Sequence, residues 1–136
     1  MVFLRRYLTL LGLLASLVAC GSNGVTLIDG YPVITILGFV RTSEGAVVGA
    51  QVDVRVSILP CADSALTFHR RTTTTEIGRY EAPLNHIGPQ KYTGCFEVAA
   101  SPRPGSGLPR LVRVEDVDFV VPLQGTVYRM DLVYPN

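Results

Sequence analysis

The chain offers few groups able to do chemistry: two histidines, three cysteines and eleven carboxylates in 136 residues. Cys61, His69, His86 and Cys95 formally make up the two-cysteine, two-histidine set that zinc accepts, but no two of them stand at the close spacing usual in zinc sites, so no resident metal or other cofactor is expected. The run VEDVDF puts Glu115, Asp116 and Asp118 in one extended stretch. Asp116 and Asp118 share a face and could hold calcium at a sheet edge; a solvated face whose charges discourage edge pairing explains them more simply. There is no GxSxG elbow and no histidine with an evident acidic orienter, which argues against a serine hydrolase. PGSGLP lacks the lysine and the helix of a phosphate loop. His69, Arg70 and Arg71 form the densest positive spot, expected on an exposed hairpin. No catalytic set emerges. What remains is a pair of irregular stretches, ILPCADS and SPRPGSGLPR, where proline stiffness would pre-order a rim and Arg103 and Arg110 are the candidate binding residues.

The elements that must position these residues read as strands. From Val33 onward the apolar period is two rather than 3.6. AQVDVRVSI (50–58) sets Val52, Val54, Val56 and Ile58 on one face and Asp53, Arg55 and Ser57 on the other, and TVYRMDLVY alternates Tyr128, Met130, Leu132 and Tyr134 with Arg129 and Asp131. Between them lie VITILGFV (33–40), ALTFHRRTTTT (65–75), GRYEAPL (78–84), CFEVAA (95–100) and RLVRVEDVDFVV (110–121), separated by turn-rich breaks. Tyr80 and Phe96 alternate as core aromatics, and Gly45 and Gly78 sit where tight turns need positive φ. Seven short strands and no helical stripe predict an all-β, two-sheet antiparallel sandwich. A formal charge of +1 gives no reason to expect nucleic acid.

The first nineteen residues are of another kind. Arg5 and Arg6 precede an apolar run from Leu8 to Ala19, a secretory signal too short to span a bilayer. On residues alone, Cys20 could be a core residue, a disulfide partner or the first residue of the mature chain. Cleavage after Ala19 by the common signal peptidase would leave bulky Leu17 where a small side chain is wanted. LVAC (17–20) instead resembles the lipobox of bacterial lipoproteins. That resemblance makes Leu17, Val18 and Ala19 the recognition positions and Cys20 the lipidated residue, anchoring the protein to a membrane through two or three acyl chains. Gly21 replaces the aspartate that retains many such lipoproteins at the inner membrane, so the outer membrane is the expected destination. Residues 20–32 read as a lipidated tether.

The order of the later pieces is similar to a family. GFVRTSEGAVVGAQVDV, TTTTEIGRYEAPL, GCFEVAASP and GTVYRMDLVY resemble the carboxypeptidase regulatory-like domain, a transthyretin-like sandwich of seven strands, over most of residues 33–134. Two departures stand out: the first turn is short and lacks its usual proline, and residues 59–71 and 85–94 are long. With Cys20 assigned to lipid, Cys61 and Cys95 are left, and a pair in an exported chain reads first as a disulfide. The family's topology implies that their strands are antiparallel neighbours, which would let the sulfurs meet.

These readings point to a non-enzymatic lipoprotein module of the cell envelope (signal 1–19, tether 20–32, domain 33–136) that binds a protein or glycan or supports an assembly. The competing reading is a small envelope hydrolase or metal-dependent glycan-acting enzyme with its site on loops 59–71, 85–94 and 101–109. An enzyme needs an acid, base or nucleophile in mutual reach, and these loops offer no recognisable set.

Overall fold

The alternation of AQVDVRVSI is realised in β4 (Gln51–Ser57): Val52, Val54 and Val56 are wholly buried, while Asp53 and Arg55 face outward. The computed structural model describes residues 27–28, 30–63 and 67–136. Cys20, the expected signal and most of the expected tether lie outside them. The other strands among the described residues are β1 (Leu27–Ile28), β2 (Tyr31–Thr42), β3 (Gly45–Ala46), β5 (Thr67–Thr73), β6 (Arg79–Asn85), β7 (Lys91–Ser101), β8 (Leu111–Val120), β9 (Thr126–Arg129) and β10 (Leu132–Val133). Six of the seven expected strands are single strands, the seventh is divided into β9 and β10, and the two-residue β1 and β3 are additional. β1 pairs with the start of β2, so the sheet begins within the stretch expected as tether.

There are two sheets. One is the antiparallel series β5-β4-β7-β8. The other is built around β2, with β6 antiparallel to it and β9 and β10 parallel to it. Ile34, Ile36 and Val40 of β2 and Tyr80 of β6 share one apolar core with the β4 valines, Phe96 of β7 and Phe119 of β8. Tyr80 and Phe96 are therefore core aromatics, as their spacing predicts. Gly45 and Gly78 both take positive φ.

The expectation of antiparallel pairing throughout fails at β9 and β10. Hairpin links oblige neighbours to run antiparallel, but β2 and β9 are far apart in sequence and no short turn joins them. The β9/β10 division has a local cause. Both segments keep one register against β2, Leu37 facing Arg129 and Val40 facing Leu132, yet between them the ladder is interrupted. There the Asp131 carboxylate, not a backbone carbonyl, accepts the Phe39 N–H at 3.0 Å, and the Met130 carbonyl takes the Tyr80 hydroxyl instead of a β2 amide.

Candidate functional site

Cys61 and Cys95 are joined in a disulfide. β4 and β7 are antiparallel neighbours with Ser57 opposite Cys95, and the segment after β4 returns through a 3-10 turn, Cys61–Asp63, over the outer face of that sheet. The Leu59 carbonyl accepts the Cys95 N–H, and the Asp116 carboxylate accepts the Cys61 N–H at 2.7 Å. Asp116 thus holds the staple's turn, while the neighbouring Asp118 accepts the Thr93 hydroxyl. They do share a face, but among the described residues no group of three or more His, Cys, Asp or Glu could hold a metal ion.

The structure separates the four residues of the formal zinc set. Both cysteines are consumed in the disulfide. His86 is buried, stacked on Tyr92 with ring centres 5.4 Å apart, and its Nε2 donates to the Pro89 carbonyl at 2.8 Å. A carbonyl can only accept, so Nε2 supplies the hydrogen of that bond. The His86 Nδ1 and the Tyr92 hydroxyl are buried without a hydrogen-bond partner among the described residues, and burial, with a smaller push from Tyr128, raises Tyr92 to about 12. His69 lies elsewhere, on the exposed face of β5.

The HRR run lies exposed on β5, the second arm of the β4–β5 hairpin and an edge strand of its sheet. One sequence reading needs correction there: His69 does not lack an acidic orienter. Its Nε2 lies 3.0 Å from Asp53 Oδ1, which also accepts Arg71 Nε at 2.8 Å, while Gln51 donates to Oδ2. Asp53 faces Arg71 directly across the β4–β5 ladder, a register no local pattern encodes. Burial pushes the Asp53 carboxyl up, but hydrogen bonds from Arg71, His69 and Gln51 and the charge of Arg71 outweigh it and hold the group below its ordinary range. His69 borders a groove of about 360 Å³ between β5 and residues 83–87, yet no serine hydroxyl bonds to it among the described residues.

Asp131 is a second carboxylate hub. On the outer face of the β2 sheet, Asp131 accepts from Phe39 N, Arg41 and Arg129, and both guanidinium groups sit over the Phe39 ring at 5.2 and 5.5 Å. In the sequence Asp131 is an ordinary polar-face residue of a regular alternation, and nothing local marks it as a hub.

The larger open groove, about 660 Å³, runs between the β2–β3 turn and loop 103–108, with Thr42, Glu44 and Val48 facing Arg103, Ser106 and Leu108. Arg103 is packed onto Gly49, whose positive φ and missing Cβ leave room for the guanidinium: a Cβ there would lie 2.1 Å from Arg103 Nε. Of the two candidate binding arginines, only Arg103 lines this groove; Arg110 stands outside it, one residue before β8.

No family model and no curated protein matches the chain. Among solved structures it is similar to (S)-allantoin synthase (13% identity, TM-score 0.47, 77% of this chain and 41% of that one). It is also similar to the dioxygenase domain of a dioxygenase–carbohydrate-binding fusion from the cellulolytic bacterium Streptomyces sp. SirexAA-E (15%, 0.48, 81% and 84%). A third is chlorocatechol 1,2-dioxygenase from Pseudomonas putida (15%, 0.45, 78% and 61%). The chain thus spans less than half the length of the first of these proteins.

Proposed function

We propose that this chain is a bacterial envelope lipoprotein, anchored through lipid on Cys20, whose folded part is a carboxypeptidase regulatory-like sandwich of the seven-stranded transthyretin-like type. In this reading it is a non-enzymatic module that binds an envelope protein or glycan through the groove at Arg103. The observation that supports it most is the Cys61–Cys95 disulfide, since such bonds persist outside the reducing cytoplasm. The secretory signal and the lipobox-like LVAC agree with that compartment, and the outer membrane is the destination Gly21 favours. The groove adds a surface rimmed by proline and glycine turns with one arginine held in place.

Fatty-acid probe labelling in cells tests the anchor: label should enter the native chain and be absent from Cys20→Ala, which should accumulate as uncleaved or soluble precursor. Label retained by Cys20→Ala would overturn the assignment. For the binding face, crosslinking capture of an envelope partner should weaken when a Gly/Ser loop replaces residues 101–109, with the melting curve nearly unchanged. A second reading, a small envelope hydrolase, draws on the Asp53–His69 pair beside its groove. Hydrolysis of an envelope substrate that vanishes in His69→Ala would establish it and displace the binding module.

A further inference from the structure

Among the described residues β8 is an outer strand of its sheet, ten residues long, with β7 on one side only. The Val121 N–H donates to the Gln90 carbonyl in register with the β7–β8 ladder, so residues 111, 113, 115, 117 and 119 bond to β7. Residues 112, 114, 116, 118 and 120 then present their N–H and C=O groups to the open edge. Those of Val120 are already taken, the N–H by the Tyr128 hydroxyl at 2.7 Å and the carbonyl by the same group at 3.4 Å. Among the described residues the first part of the strand carries no such cover, and Val112 and Val114 expose 42% and 51% of their surface. A long apolar edge left open this way is a template for another strand.

The charges say which strand. Reading outward from Val114 in both directions, Arg113 mirrors Glu115, Leu111 mirrors Val117, and Arg110 mirrors Asp118. We propose that β8 pairs antiparallel with β8 of a second copy of this chain, centred on Val114, joining two four-stranded sheets into one of eight. In that register Arg113 lies opposite the partner's Glu115 and Arg110 opposite the partner's Asp118, each twice by symmetry, while Leu111 faces the partner's Val117. Each facing pair lies on one side of the sheet, because directly opposed residues do so in an antiparallel ladder. The one mismatch sets Val112 against the partner's Asp116, whose carboxylate is turned to the Cys61 N–H. The acidic residues deter an arbitrary strand, yet they complement this strand's own arginines. The edge strand β5 offers no such symmetry: its ionisable side chains are His69, Arg70 and Arg71, and self-pairing would oppose like charges.

The test is a symmetric disulfide formed in intact cells producing the full chain. Opposed residues of a hydrogen-bonded antiparallel pair have Cα atoms about 5.5 Å apart, within disulfide reach. Val114→Cys should therefore give a covalent dimer on a non-reducing gel above the native background. Val112→Cys should not, because the two copies of position 112 would be roughly 13 Å apart along the strands. In the Val114→Cys chain, adding either Arg113→Glu or Glu115→Arg should remove the dimer band, and adding both should restore it. These side chains are exposed or half-buried, and the melting curve of each variant checks that it folds. Four results would overturn the proposal: no Val114→Cys dimer, an equal band from Val112→Cys, a crosslink to a different protein, or indifference to the charge reversals.

Discussion

The Tyr80 hydroxyl donates to the Met130 carbonyl at 2.6 Å, joining residues fifty positions apart across the central strand β2. Gly38 lies between them: it faces Tyr80 in the β2–β6 register, and a Cβ on it would stand 1.8 Å from the Met130 oxygen. The close passage of three elements thus depends on one missing side chain. Burial, aided by the charge of Asp131, raises the Tyr80 hydroxyl far above its ordinary range, keeping it a donor.

Tyr80→Phe leaves a buried carbonyl without its partner and should cost about 1–3 kcal/mol in equilibrium urea unfolding. Gly38→Ala should cost more, because backbone must move to clear the new methyl group. Combining the two should give less than the sum of their effects, since both act on the Met130 carbonyl. Additive losses would mean that the two residues act separately.

The disulfide closes a segment of 34 residues. On the chain-entropy account, its loss in the Cys61→Ala, Cys95→Ala double variant should lower stability by about 4 kcal/mol. For a domain of this size that is on the order of 15 °C or more in melting temperature. A peptide map of the native protein without reductant should show the 61–95 bridge.

Asp131 makes stability depend on acid. Burial pushes its carboxyl up, but the Arg129 and Phe39 N–H hydrogen bonds and the charges of Arg129 and Arg41 hold it below 3.8. A carboxyl depressed on folding stabilises the native state fully above its unfolded value, and that stabilisation is lost as pH falls from there through the folded value. The urea midpoint of the native chain should therefore drop below about pH 4. Asp131→Asn should lower the midpoint at neutral pH and flatten the dependence in that acid window. An unaltered acid slope in this variant would assign the sensitivity to Asp53, depressed in the same sense.

The sequence by itself determined the strands and their inward faces. Alternation is a property of neighbouring residues, so Val52, Val54 and Val56 or Tyr80 and Ala82 declare their face without reference to the rest of the chain. The Cys61–Cys95 link was legible through resemblance: the lipobox-like LVAC set Cys20 aside, and the family's topology implied that the strands of the other two are neighbours. Which other strands lie side by side, and in which direction, only the tertiary structure decided. β9 and β10 run parallel to β2 because no hairpin constrains them, and their break at Met130 and Asp131 is made by Tyr80, Gly38 and Phe39, all distant in sequence. The pairing of Asp53 with His69 and Arg71, and the separation of Arg103 from Arg110, arise in the same way. Each depends on the register between segments, and register is set when a common core is filled, which no single segment can do alone.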